Sequence, residues 1–266
     1  MSKRSLRILC VGDSLTAGFS SYNTPTYHPY SSALTTVLTR AFPALTIDTH
    51  VEAQPGDVVC GPDSLFLPRI EPIFLTRGGG TPFDWTIVLA GTNDIAVAIA
   101  ESQAQTIFTA LRRVWAVPLS KGGRVLACTV PEADVAGELG ENQARTRNAL
   151  NALISGHRQE NFHVFDLHAA MPYTTMRPEE RRRYWSPDGV HLSSDGYNML
   201  GVKLAASLIL LIMPLGRLQD RPHQQKPPRP THRPSFKDDD LDFEEESGSD
   251  SLLDHGYYVV RRKDLE

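Results

Sequence analysis

From residue 7 to residue 213, apolar residues follow two periods in turn. Short strand-like runs fall at 7–11, 45–52, 85–90, 124–130 and 163–167. Between them lie helix-like stretches at 31–41, 64–75, 102–118, 142–158 and 193–213. In the first, Leu34, Val37, Leu38 and Ala41 share a helical face; in the third, Ile107, Leu111, Val114 and Trp115 do. In the fourth, Leu150, Leu153 and Ile154 fall together, and the second is interrupted by Pro68 and Pro72. Five strands alternating with helices leave few topologies. A connection between parallel strands needs a crossover, and a helix supplies it. The expected architecture is a mainly parallel five-stranded sheet covered by helices on both faces.

That pattern stops after Pro214. Residues 217–266 are Pro-rich and basic, then acidic, with few apolar residues before Tyr257. Such a segment cannot bury enough surface to offset its chain entropy, so the domain is expected over 1–216 and a disordered tail over 217–266. Ser247, Ser249 and Ser251 follow the acidic run, which reads either as a phosphorylation site or as a solubilising tail. The longest apolar run, 204–215, is short for a membrane span and reads as a last helix packed on the sheet. The net charge of −4 gives no reason to expect a nucleic-acid surface. The N-terminus shows no signal-peptide pattern, and Cys10, Cys60 and Cys128 form no disulfide or metal spacing. Cys10 and Cys128 read as small core residues, and a reducing, cytoplasmic setting is expected.

Parallel sheets bind ligands beyond the carboxyl ends of their strands. The first strand ends in Gly12-Asp13-Ser14, and 53–59 follows the second. Leu89-Ala90-Gly91-Thr92-Asn93-Asp94 follows the third, and 185–197 precedes the last helix. Singly, each has an ordinary reading: a turn at Ser14, a cap at Asn93, a loop at Asp188-Gly189. Together they supply the parts of nucleophilic acyl transfer. Ser14 offers a hydroxyl at a strand tip, and His191 a base suited to neutral pH. Asp188, three residues earlier, can fix the imidazole's tautomer. The Ser14 and Gly56 N–H groups and the Asn93 amide are candidate oxyanion donors. Tyr22, Tyr27, His28 and Tyr30 are read either as pocket lining or as surface packing, and Tyr184 and Trp185 as a wall. Arg181, Arg182 and Arg183 read as a solvated helix face.

These residues resemble the SGNH hydrolases, also called the GDSL esterase/lipase family. Gly12-Asp13-Ser14-Leu15, Gly91-Thr92-Asn93-Asp94 and Asp188-Gly189-Val190-His191 match its first, third and last blocks. The second reads Glu52-Ala53-Gln54-Pro55-Gly56, without the asparagine that many members carry before the glycine. The resemblance spans roughly 5–213. It implies a flavodoxin-like three-layer α/β/α fold and cofactor-free, metal-free ester hydrolysis. The implied nucleophile is Ser14, with His191 and Asp188 from the last block. The implied substrate is a small-molecule or lipid-like ester; a non-catalytic binding protein that keeps the fold is the alternative.

Overall fold

The computed structural model describes residues 4–20, 26–75, 82–98 and 100–219, with side chains described as far as 213. Everything below belongs to one unit, Met1–Asp220. From residue 220 onward, the expected disordered tail lies outside the described residues.

Five strands form one parallel sheet: β1 (Arg4–Gly12), β2 (Leu45–Ala53), β3 (Trp85–Leu89), β4 (Arg124–Cys128) and β5 (Phe162–Phe165). Their order is β2-β1-β3-β4-β5, the flavodoxin-like order. Alternation along β1 splits the core between the two faces. Leu9 and Val11 face α3 (Phe66–Phe74), α5 (Gln103–Ser120) and α6 (Gly137–Gly156), meeting Phe66, Ile70, Ile107, Leu111 and Leu150. Ile8 and Cys10 face α2 (Ser31–Ala41) and α9 (Ser194–Gln219), meeting Leu34, Leu38, Leu200 and Leu204. Cys10 and Cys128 are buried free thiols in this second layer. The three-layer α/β/α arrangement expected from the alternating periods is the one observed.

Four short helices escape a periodicity reading: α1 (Ser14–Ala17), α4 (Thr92–Ala96), α7 (Leu167–Ala170) and α8 (Pro178–Tyr184). The first three span barely one turn, too little for an apolar stripe to repeat. In α8, Arg183 pairs with Asp195 at 2.9 Å on the surface, as a solvated face does. Helix α6 begins five residues earlier than its apolar pattern, because its first turns face a cleft instead of the core.

Helix α9 is also longer than its apolar run. By length and composition, Ser194–Met213 is the one stretch among the described residues able to cross a membrane. Leu200, Leu204, Ala205 and Leu208 are buried in the second core layer, as in a core helix, while Leu210 is 74% exposed. Leu204→Ala should therefore cost about 2–5 kcal/mol in urea unfolding, and Leu210→Ala should stay within about 0.5 kcal/mol. Equal effects would mean that α9 does not dock through this face.

Candidate active site

The parallel register brings three strand ends to one level. Gly12 pairs with Ala53 of β2 and with Leu89 of β3. The chain leaving each end supplies one expected residue: Ser14, Gly56 and Asn93. All three line a cleft of about 540 Å³ together with His191.

Asp13 turns the chain from β1 into α1. Its Oδ1 accepts the Leu15 N–H at 2.9 Å, the N-cap role of a short acidic side chain. Ser14 is then the first residue of α1, so no carbonyl within the helix can accept its N–H. Its Oγ lies 2.9 Å from His191 Nε2. On the other side of the ring, Nδ1 lies 2.8 Å from Asp188 Oδ2. The second carboxylate oxygen of Asp188 accepts the N–H groups of Val190 and His191, both at 2.9 Å. Burial raises the Asp188 pKa, but these N–H donors and the imidazole outweigh it and hold the carboxyl below its ordinary value. His191 is buried and meets Phe19 edge-on, with ring centroids 4.9 Å apart.

The loop carrying the pair is locked from outside. Gly189 sits at φ 68°, and a Cβ there would stand 2.3 Å from the Asp134 Cβ. Asp134 donates its N–H to the Gly189 carbonyl at 2.9 Å and accepts the Tyr173 hydroxyl at 2.7 Å. The Ser186 N–H in turn donates to the His191 carbonyl at 2.8 Å.

Gln54-Pro55-Gly56-Asp57 forms a tight turn closed by the Asp57 N–H donating to the Gln54 carbonyl at 3.1 Å. Gly56 sits at φ 81°, so Pro then Gly is the sequence this turn requires. Asn93 Nδ2 donates to the Asp57 carbonyl at 2.8 Å, which spends one amide hydrogen on the turn and leaves the other. Asp94 accepts the Val59 and Cys60 N–H groups at 3.0 and 2.9 Å, holding the same loop. Beneath it, Arg69 reaches Asp57 Oδ2 at 2.7 Å, Glu52 Oε1 at 3.2 Å and the Gly12 carbonyl at 3.2 Å. One guanidinium thus ties the ends of β1 and β2 to the donor turn.

Sequence reasoning missed Asp13, Asp57, Arg69 and the opposite wall of the cleft. That wall is Val130, Pro131, Ala133 and Val135 after β4, with Gly140, Gln143, Ala144 and Arg147 of α6. The last four fall at helical spacing, a signal the sequence did carry. The expected aromatic lining is placed differently. Tyr30 is buried in the core, Tyr27 is 55% exposed, and Trp185 is buried against Tyr173. His28, Tyr27, Tyr30, Tyr184 and Trp185 do not line this cleft, Phe19 does, and Tyr22 lies outside the described residues. Among the described residues, no group of three or more His, Cys, Asp or Glu is placed to hold a metal ion.

Burial pushes the Asp13 carboxyl from its ordinary 3.8 up to about 7, with the Leu15 N–H opposing and the Asp94 and Asp57 carboxylates adding to it. As pH rises from about 4 to about 7, the unfolded chain releases this proton and the folded one keeps it, so stability falls. Asp13→Asn cannot ionise in either state. Its urea midpoint relative to the unmodified protein should shift in its favour across that window; a constant difference would mean that Asp13 is ionised when folded.

The GDSL-like lipase/acylhydrolase family model matches residues 10–199. No match was found among curated proteins. Among solved structures, an inhibitor-bound aryl esterase from M. smegmatis is similar at 18% identity, over 76% of this chain and 98% of the other, with a TM-score of 0.57. A carbohydrate acetylesterase from Sinorhizobium meliloti matches at 17% identity over 77% and 99%, TM-score 0.55. A lipase/acylhydrolase from Enterococcus faecalis matches at 21% identity over 77% and 95%, TM-score 0.52. At these identities the structures bear on the fold, and it is the family model that decides descent. Matched by this model over residues 10–199, which take in most of its sheet and helices, the chain belongs to the GDSL-like lipase/acylhydrolase family and is a carboxylic ester hydrolase.

Proposed function

We propose that the chain hydrolyses carboxylic esters through an acyl-enzyme on Ser14. The observation that carries this reading is the continuous line from Ser14 Oγ through His191 to Asp188, at 2.9 and 2.8 Å, opening on a cleft. His191 Nδ1–H donates to Asp188, which leaves Nε2 as the acceptor facing the hydroxyl. Ser14 Oγ attacks the carbonyl carbon as its proton passes to Nε2, and the carbonyl oxygen becomes an oxyanion. Collapse expels the alcohol, which takes that proton. Water then repeats the sequence on the acyl-serine, releases the acid and returns the proton to Ser14.

The oxyanion is assigned to three donors. The Ser14 N–H is free of helical acceptors by its position, and the Gly56 N–H donates to no acceptor among the described residues. The third is the second Asn93 amide hydrogen. The Arg69 network holds the turn that presents two of them, so little reorganisation accompanies the charge. Asp94 braces that turn without facing the oxyanion. The cleft is lined mainly by Phe19, Ile95, Ala96, Val130, Val135 and Val190, which favours esters with compact apolar arms.

A fluorophosphonate should label the wild type and not Ser14→Ala. Equal labelling of both would place the nucleophile elsewhere, and labelling without turnover of any p-nitrophenyl ester would favour the binding-protein alternative. Asn93→Ala should lose roughly 10²- to 10³-fold in kcat with KM little changed. A folded Asn93→Ala enzyme with near-normal kcat would remove that amide from the oxyanion site.

A further inference from the structure

Beyond the reacting groups, the cleft contains one feature that ester hydrolysis does not require. Among the described residues lining it there is no Asp and no Glu, and Arg147 is the one permanently charged side chain. Arg147 lies on α6, one turn beyond Gln143 and Ala144, on the face that turns from the cleft towards the core at Leu150. It is half-buried. Its Nε and Nη2 donate to Asn148 Oδ1 at 3.3 and 3.2 Å, a neutral acceptor. Among the described residues it forms no ion pair within 4 Å.

Glu132 is the carboxylate whose field reaches it, but that group is engaged elsewhere. It accepts the Thr174 N–H at 2.7 Å, the Thr174 hydroxyl at 2.9 Å and the Tyr173 N–H at 2.5 Å. Burial lowers the Arg147 pKa, with Glu132 opposing, which is how an under-compensated cation behaves. The contrast with Arg69, on the other side of the site, is direct: two carboxylates hold Arg69. By comparison with surface cations such as Arg145, which faces solvent beside Glu141, Arg147 is already partly stripped of water.

We propose that Arg147 selects esters that carry a free carboxylate on an arm lying along the α6 wall. This rests on the Ser14 reading of the site. A guanidinium presents a planar fork that matches a carboxylate in two parallel hydrogen bonds. One fixed cation balances one negative charge. A phosphate monoester, close to doubly charged at neutral pH, would call for a second cation that the lining does not supply. The apolar residues that share the lining with Ser14 and Arg147 suit a hydrocarbon spacer. The substrate class is thus a half-ester of a dicarboxylic acid, or an ester whose alcohol bears a carboxylate.

The test uses the full chain and matched pairs of esters. p-Nitrophenyl hydrogen glutarate against p-nitrophenyl valerate places the charge on the acyl arm. p-Carboxyphenyl acetate against p-methylphenyl acetate places it on the alcohol arm. In one pair, the wild-type ratio of kcat/KM for the anionic over the neutral ester should fall about 10- to 100-fold in Arg147→Gln, the worth of one charge-assisted hydrogen bond, and chiefly through KM. Arg147→Lys should keep part of the ratio, and Arg145→Gln, the same charge change on the outer face, should keep all of it. An unchanged ratio in Arg147→Gln for both pairs overturns the proposal, and so does an equal fall in Arg145→Gln. Should the wild type turn over none of the four esters, the Ser14 reading fails. Calorimetric binding of glutarate then decides the matter separately: tighter binding to wild type than to Arg147→Gln supports the anion site, and equal binding overturns it.

Discussion

The site depends on one strand. From Ile8 to Gly12, β1 is paired on both edges, with β2 and with β3, and its side chains are buried on both faces. A parallel ladder flanked on both sides leaves no freedom to slip, because a shift of one residue would exchange the two core layers. The strand therefore ends at a fixed height, level with Ala53 and Leu89. Ser14, Gly56 and Asn93 follow these ends by two, three and four residues, so sheet register alone brings them to one edge. Only the Asp188–His191 loop must arrive from a distant part of the chain.

Three carboxylates lie close beneath this edge, and their different treatment shows what the fold tolerates there. Asp57 is paired with Arg69 and takes the Leu65 N–H at 2.9 Å. Asp94 is served by two backbone N–H groups. Asp13 receives the Leu15 N–H on one oxygen, while its other oxygen is buried and finds no partner among the described residues. Burying a charge without compensation is costly, and burial accordingly pushes the Asp13 carboxyl up to about 7. Asp13 caps α1 at the edge that carries Ser14.

The sheet and the strand-end residues of the candidate site were legible in the sequence for the same reason. Strands of a parallel sheet buried on both faces read as apolar runs, and the residues just past them are few enough to inspect one by one. Ser14, Gly56 and Asn93 fall just past strand ends, Asp188 and His191 in the loop before the last helix; Ser14, Gly56, Asn93 and His191 line one cleft, and Asp188 stands behind His191. The opposite wall was not legible. The alternation from Pro131 to Val135 is too short to announce a wall, and α6 begins with Gly137 and Gly140, weak helix formers that hide its true start. Arg147 carries no mark of its own, because nothing local in the sequence records that its face of α6 turns towards a cavity. Arg69 was hidden likewise: its partners Glu52, Asp57 and Gly12 are distant or adjacent only through the sheet. Of the aromatic residues after Ser14, read as pocket lining or surface packing, Tyr27 is exposed and Tyr30 supplies core volume, since nearness to Ser14 in sequence carries no spatial meaning.

The same missed wall also supports the loop that carries His191. His191 hangs on a loop whose Gly189 is pressed against Asp134, hydrogen-bonded to its N–H, while Asp134 is itself gripped by the Tyr173 hydroxyl. Arg181 lies over the Tyr173 ring at 5.0 Å, and Glu132 takes the Tyr173 N–H. The stretch from Pro131 to Val135 therefore faces two ways. Pro131, Ala133 and Val135 line the cleft, while Glu132 and Asp134 alternate outwards to anchor the loops around His191. Period-2 alternation, which in a strand separates two core layers, here separates a binding surface from a support. Any group that displaced this wall on entering the cleft would press on the same backbone that fixes the 2.9 Å approach of His191 to Ser14. Cleft shape and the position of His191 are in that sense one mechanical unit, built from a segment that belongs to neither strand nor helix.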